Sequence, residues 1–518
     1  MRLNILIAGA AGQGINEISN ILAKSLAFSG YYVFNYREYG SLITGGHNWN
    51  VLSVSDKEIN AHENDFDIVI ALNEDAVKKH KLNNDTIVLA SEAYKVKNLV
   101  KVEIGNKKIE NVYYASVLFK ILGLEKEILK KYIEKVFAGK SYLKEDLEAV
   151  EKMYSKDYKL NLGLKKLKGE KKVLTGAEAV GISAIESGLQ VYLAYPMTPA
   201  TSMLTFLAQH QEKYNYFVYT PESEVAVINN ALGVSFTGAV TMIGTAGGGF
   251  DLMTEALSMS GMAEIPLVIY LAQRPGPSTG VPTYSMQTDI NAAIYGGHGE
   301  FPRVVVSPGD IEDCYRLTKE AFYLSEKYKA PSIILSDKHL AESYYTIEDI
   351  KDYKLPEIKL KKIVGKDLVR ASSYEHDVNG ELVDKPEEIK KAFERRLKRI
   401  EELKKEVSKM ETYSVYGNSK AKKVIIGTGS VKGAVIDALK NLADFSYIHV
   451  NYLEPFADFS DAIKGKEVYV IEENSVGQLA DLIQKNLLVK IDNKHRILKY
   501  DALPFAASEV VKLMGGRK

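Results

Sequence analysis

Five nearly unbroken apolar runs fall between residues 191 and 337: VYLAYP, AVTMIGTA, IPLVIYLA, RVVVSP and PSIILSD. A half-exposed strand alternates apolar and polar residues. A run apolar at every position needs burial on both faces, which a parallel sheet covered by helices supplies. Helix-period segments separate the runs, so residues 172–345 are expected to form an open parallel α/β sheet.

The flanking regions repeat the pattern. Within residues 1–155, strand-like Leu3–Ala8, Tyr32–Tyr36, Asn50–Ser55, Ile68–Leu72 and Thr86–Ala90 surround a helix at Asn16–Ser29, whose Ile18, Ile21, Leu22 and Leu26 share one stripe. Lysine-rich residues 156–171 read as a linker. Residues 346–415 read as a connector with a charged helix from Pro386 to Met410, proline suiting its first turn. Apolar residues at 389, 393, 397, 400, 403, 407 and 410 step along it by threes and fours. That fits a solvated helix packed along one stripe, or a narrow coiled-coil seam. Residues 416–518 begin a third α/β unit with VIIGTGS, then FSYIHVNYLEPF and VYVIEENSVGQLADLIQ. The expected fold class is α/β with three open parallel-sheet domains.

Charge and cysteine usage exclude several functions. Lys+Arg and Asp+Glu number 67 each, so neither nucleic acid nor a membrane surface is an expected partner. One cysteine, Cys314, excludes a disulfide framework within the chain and a self-contained iron–sulfur cluster, which takes about four thiolates. No apolar run reaches the roughly 20 residues of a membrane span. MRLNILIAGAAGQG runs straight into a glycine turn and a helix, so it reads as a first strand and not a signal peptide, and a cytoplasmic location is expected.

Chemistry concentrates in loops that follow apolar runs. Leu271–Glu300 lacks helical or strand period and crowds glycine, proline, serine and threonine around Arg274, a planar fork suited to a carboxylate. An arginine satisfied by a structural glutamate is the other reading. YPMTP at Tyr195–Pro199 holds Thr198 between prolines at the end of another run. PESEVAVINNALG puts Glu222 and Glu224 ahead of a helix of small residues, where a carboxylate also favours the helix dipole. GTAGGGF has three successive glycines before a helix, a place for close backbone approach or for tight helix–sheet packing. GAAGQG at Gly9–Gly14 is an anion-binding corner or a tight packing turn; a dinucleotide fingerprint would want glycine where Ala11 stands and an acidic residue where Asn35 and Arg37 stand. His298, in YGGHGE, offers either a general base or a loop-ordering contact.

Taken together, QRPGPSTGVPT, YPMTP, GTAGGGFDLMTEALSMSGMAEIPLVI and VIEENSVGQLADLI resemble the α subunit of the 2-oxoacid:ferredoxin oxidoreductases, with a γ-like domain fused ahead of it. The resemblance spans about residues 3–515. It implies a thiamine-pyrimidine-binding (PYR) domain over 172–345 and a transketolase C-terminal-like domain over 416–518. The activity implied is coenzyme A-dependent oxidative decarboxylation of 2-oxoacids with electrons passed to ferredoxin. Glu224 then hydrogen-bonds N1′ of thiamine diphosphate, with Glu222 the second candidate. Arg274, Thr198, Thr283 and Tyr195 contact the 2-oxoacid, Gly247 and Gly248 the thiamine cofactor, and Gly12, Gln13 and Gly14 a phosphate of coenzyme A. The loop YGSLITGGHNW (Tyr39–Trp49) resembles the γ domain; otherwise Trp49 fills a local core. EHD at Glu375–Asp377 resembles the family's connector.

Met197, Ala246, Gly248 and the stretch YSMQTDI depart from the family's usual residues, which bears on loop rigidity and substrate range. No GDG…N segment for magnesium diphosphate is present, so no metal site is expected on this chain. The resemblance implies a β subunit that shares thiamine diphosphate and carries Mg²⁺ and a [4Fe–4S] cluster, in a dimer of αβ units. The γ–α fusion points to the 2-oxoglutarate or broad 2-oxoacid type. Two rivals are an NAD(P)-binding oxidoreductase built on the N-terminal glycine turn and a non-catalytic paralogue acting in assembly or regulation.

Overall fold

The computed structural model describes residues 2–40, 45–165, 167–358, 364–367 and 369–516. Ser41–Thr44 of the Tyr39–Trp49 loop, Lys166 of the linker stretch, and 359–363 and 368 of the connector lie outside the described residues. Contacts divide the chain into two compact units: Met1–Leu174 with Ser343–Asp349 and Ala506–Glu509, and Thr175–Glu342 with Ile350–Phe505 and Val510–Lys518.

The first unit carries an eight-stranded sheet in the order Asn98–Lys101, Ile87–Ala90, Ile68–Ala71, Arg2–Ala10, His47–Ser55, Tyr32–Glu38, Tyr344–Ile347, Lys172–Thr175. Its first four strands are parallel. The expected parallel pairing stops there, because Tyr32–Glu38 and His47–Ser55, too close in sequence for a crossover connection, pair antiparallel. Arg2–Ala10 and Tyr344–Ile347 pair antiparallel onto either side of that hairpin. Thr346 fixes the last strand, its Oγ1 accepting from Val33 N at 2.6 Å and donating to Val33 O at 2.8 Å. The helix Ile15–Phe28 buries Ile15, Ile18, Ile21, Leu22 and Leu26 against this sheet, the stripe expected from its period.

In the second unit, each of the five apolar runs supplies a strand. The sheet order is Tyr452–Glu454, Val304–Val306, Pro331–Asp337, Leu267–Gln273, Thr241–Thr245, Val191–Ala194, Phe217–Tyr219. All neighbours are parallel except Tyr452–Glu454, which comes back from the C-terminal part of the chain. A five-stranded sheet follows, Tyr413–Gly417, Phe445–Val450, Lys423–Gly427, Glu467–Glu472, Arg496–Leu498, with only its first strand antiparallel. One hydrophobic core runs through both sheets, from Leu193 to Ile491. The buried Lys432 ties them together, 2.5 Å from Asp310 and 2.6 Å from Asp313 at the start of the helix Ile311–Tyr328.

The charged helix spans Pro386–Val407 with proline in its first turn. Its buried line is Ala392, Arg396, Leu403 and Val407, whereas Phe393 and Leu397 of the expected apolar series are exposed. Arginines replace them: Arg396 grips Glu375 with both carboxylate oxygens at 2.7 Å, and Arg399 pairs with Glu264 at 2.8 Å. One stripe of the helix is therefore seated by ion pairs together with Ala392, Leu403 and Val407. Leu271–Glu300 is likewise less irregular than its composition implies, since it contains the helix Ile290–Tyr295.

Candidate active site

Three neighbouring parallel strands, Val191–Ala194, Thr241–Thr245 and Leu267–Gln273, release the YPMTP, glycine and arginine loops from their carboxyl ends. Open parallel sheets place ligands at that edge. Arg274, 8% exposed, turns back over the sheet, and its Nη1 donates to the carbonyl oxygen of Thr198 at 2.7 Å. Its Nε is buried without a hydrogen bond, and it makes no ion pair among the described residues. Burial holds its pKa below the usual guanidinium value, opposed by the charges of Asp289 and Glu224. A buried, half-satisfied cation is costly unless an anion arrives.

Glu224 opens the helix Glu224–Phe236, capped by Ser223, whose hydroxyl accepts from Ala226 N at 3.3 Å. The residue is 5% exposed, and its carboxylate makes no hydrogen bond or ion pair among the described residues. Glycines let it sit there. A Cβ on Gly249 would lie 2.8 Å from Glu224 Cγ, and one on Gly247 would lie 2.6 Å from Asp289 Oδ2. At Gly248 the nearest atom would be Ser278 O at 3.5 Å, so this glycine is not sterically required. The loop beyond Arg274 folds back on itself, Val281 N donating to Pro275 O at 3.1 Å, and leaves Thr283 buried. Tyr195, 40% exposed, lies just past the Val191–Ala194 strand.

Asp289 was not singled out by its sequence pattern. It precedes the helix Ile290–Tyr295, a position where an acidic residue is ordinarily a cap. Here no cap hydrogen bond forms. Instead Oδ1 accepts from Thr288 Oγ1 at 3.1 Å and Oδ2 is buried without a partner.

Two family models match the chain: "Pyruvate flavodoxin/ferredoxin oxidoreductase, thiamine diP-bdg" over residues 182–412 and "Pyruvate ferredoxin/flavodoxin oxidoreductase" over 4–156. The 2-oxoacid:ferredoxin oxidoreductase subunit alpha of a Sulfolobus species is 29% identical over 98% of this chain and 96% of its own length. The 2-oxoglutarate synthase subunit KorA of Methanocaldococcus jannaschii is 30% identical over 59% of this chain and 89% of its own length. The chain belongs to the α subunits of the 2-oxoacid:ferredoxin oxidoreductases. A solved 2-oxoglutarate:ferredoxin oxidoreductase from Magnetococcus marinus, with 2-oxoglutarate, coenzyme A and succinyl-CoA bound, superposes with a TM-score of 0.87 at 26% identity, covering 99% of each chain.

Other residues of this α subunit that the sequence singled out have their own local surroundings. Gly12, Gln13 and Gly14 belong to the first unit, in the turn between Arg2–Ala10 and the helix Ile15–Phe28. Gly12 and Gly14 have φ of 87° and 76°, which explains glycine at both. The exposed Gln13 side chain bends back along the turn, accepting from Ala10 N at 2.7 Å and donating to Leu72 O at 3.4 Å, so it shapes the turn. The dinucleotide reading finds little support: Tyr32–Glu38 does not neighbour Arg2–Ala10, Asn35 is buried on Ser19, and Glu38 accepts the Tyr36 hydroxyl. Trp49, half-buried, stacks beside His47, 5.7 Å between ring centroids. Of the two glutamates ahead of the Glu224 helix, Glu222 is the exposed one. His298 is exposed and tied only through its N–H to Ser258 Oγ at 2.8 Å, a loop-ordering contact. EHD is structural: Glu375 anchors Arg396, and Asp377 accepts from the N–H groups of Asn379 and Glu381. Among the described residues no helix is long and apolar enough to cross a membrane.

Proposed function

We propose that this chain is the γ–α fused subunit of an enzyme that oxidatively decarboxylates 2-oxoacids to acyl-CoA and CO₂ and passes the electrons to ferredoxin. The observation that carries the reading is the set of polar side chains around Arg274 that lack internal partners: its own Nε, the Glu224 carboxylate and Asp289 Oδ2. Unpartnered polar groups gathered at the carboxyl edge of a parallel sheet suit a polar ligand that completes them.

Arg274 holds the carboxylate of the 2-oxoacid, a bidentate match, with Thr198, Thr283 and Tyr195 beside it. Tethering of Nη1 to the Thr198 carbonyl fixes the fork and leaves its other edge for the ligand. Thiamine diphosphate, when bound, supplies the electron sink for loss of CO₂. The chain's residues fit it: Glu224 is a buried acceptor in need of a donor, and Gly249 lets its side chain pack against the glycine turn. Glu224 accepts from N1′ of the aminopyrimidine and holds the proton balance of that ring. The Gly12–Gly14 turn, at the start of a 14-residue helix, meets a phosphate of coenzyme A through its backbone.

A β subunit completes the site and brings Mg²⁺ and the [4Fe–4S] cluster, since this chain has one cysteine, buried at position 314. Exposed Tyr195, Tyr219, Val225, Leu252 and Val281 lie on the segments that carry the site residues, the apolar surface such a partner would cover. Two αβ units pair in the assembly.

The test is anaerobic co-expression with a cognate β subunit, followed by coenzyme A-dependent viologen reduction with 2-oxoglutarate, 2-oxobutyrate and pyruvate. Reduction with any of the three supports the reading, and their ranking names the branch. An assembled, cluster-bearing, thiamine-loaded complex that reduces nothing is a non-catalytic paralogue.

A further inference from the structure

Asp289 is the one charged member of the Arg274 cluster with no role in the reaction as proposed. Its place is tightly determined. Its N–H donates to Gln273 Oε1 at 2.9 Å, and Thr288 Oγ1 lies 3.1 Å from both the Arg274 carbonyl and Asp289 Oδ1. Residues of the C-terminal part of the same unit clamp the segment from the other side. Gln478 donates to Thr288 O and accepts from Asn291 N, each at 2.8 Å, and Gln287 N donates to Glu473 O at 2.8 Å. These bonds hold the backbone on both sides of the half-buried Asp289. Its Oδ2 rests against the Cα of Gly247, where a Cβ would lie 2.6 Å away, and has no partner.

We propose that Asp289 is a positioning residue for the substrate anion: its carboxyl, fixed beside Arg274 in the glycine-walled cluster, sets how much of that arginine's charge is offered to the 2-oxoacid carboxylate. This rests on the 2-oxoacid reading above. An ionised Asp289 shares Arg274 with the incoming anion and repels it, whereas a neutral Asp289 leaves the cation undivided. The Thr288 hydroxyl bridges Asp289 to the Arg274 carbonyl; the charges that act on Asp289 are those of Arg274 and Asp251, and Glu224 acts on Arg274. Burial, aided by Asp251, pushes the Asp289 carboxyl up to about 6, opposed by Thr288 and Arg274. The switch between the two states thus falls within the working range of an enzyme.

The experiment is steady-state kinetics on the assembled complex with its preferred 2-oxoacid from pH 5 to 8, for wild type and Asp289→Asn. In the wild type KM rises about ten-fold across that range while kcat does not follow the same transition, the size expected of one nearby charge partly screened by solvent. In Asp289→Asn KM stays near the low-pH value throughout. A variant whose KM rises with pH as the wild type's does, or one that loses kcat and thermal stability with KM unchanged, overturns the proposal and leaves Asp289 a packing residue. Thr288→Val, which strips the hydroxyl from Oδ1, moves the midpoint of the wild-type KM rise to higher pH; an unmoved midpoint overturns the proposal independently of Asp289→Asn. A wild-type complex that turns over no 2-oxoacid sinks the underlying reading, and this inference with it.

Discussion

Arg274 donates through Nη1 to the Thr198 carbonyl at 2.7 Å, across the strand Thr241–Thr245 that separates their own two strands. Seventy-six positions apart in the chain, these residues meet because right-handed crossovers bring successive loops to one edge of a parallel sheet. The contact ties the arginine to the YPMTP loop. Each half of the site holds the other in place.

Glu224→Gln is expected to leave thiamine diphosphate bound but to slow exchange of the cofactor's C2 proton by about 10²-fold, because an amide cannot take the carboxylate's part in the proton balance. Exchange measured by proton NMR on the loaded complex checks this, and an unchanged rate removes Glu224 from its proposed place.

The three glycines after Ala246 should not tolerate alanine equally. At Gly249 a Cβ enters the space of Glu224 and Thr245, whereas at Gly248 it meets nothing closer than 3.5 Å. Overpacking costs of about 1–3 kcal/mol predict a turnover loss of ten-fold or more for Gly249→Ala, and little change for Gly248→Ala. Equal kinetics for the two variants would mean that the glycine run does not shape the site.

Much of this was legible in the sequence for one physical reason. Double-sided burial leaves an unbroken apolar run, so Val191–Ala194, Thr241–Thr245 and Leu267–Gln273 announced themselves, and the loops after them had to lie at the sheet edge. What stayed hidden depends on distant partners. Tyr344–Ile347 joins the first unit's sheet and Tyr452–Glu454 joins the seven-stranded sheet, both by long-range pairing that local period does not encode. Arg396 and Arg399 fill a helix stripe that apolar spacing had assigned to Phe393 and Leu397, because the anions that neutralise them come from other segments. Asp289 carries no signal in the sequence, and only its unpartnered oxygen beside Gly247 and the charge of Arg274 set it apart.

Stability of the first unit should depend on Asp146, in the helix Leu143–Ser155. Both of its carboxylate oxygens are buried without a hydrogen bond, and burial, with Glu145 adding to it, pushes its pKa up to about 6. An acid with a raised folded-state pKa binds its proton more tightly folded than unfolded, so stability falls as pH rises from about 4 through 6. Asp146→Asn is expected to gain about 1–2 kcal/mol at pH 7.5, a discounted value that allows for solvent screening, and to lose that advantage below pH 4. Thermal melts of the two proteins at pH 4, 6 and 7.5 check it; a gain independent of pH would assign the effect to packing alone.

The most direct test of the account is Arg274→Ala in the assembled complex. If Arg274 is the anchor for the 2-oxoacid carboxylate, the variant assembles with its β subunit, retains thiamine diphosphate, and loses about 10²–10⁴-fold in kcat/KM for every 2-oxoacid, the cost of removing one partner of a buried charge pair. A variant that assembles and turns over 2-oxoacids at the wild-type kcat/KM would contradict the assignment of this site.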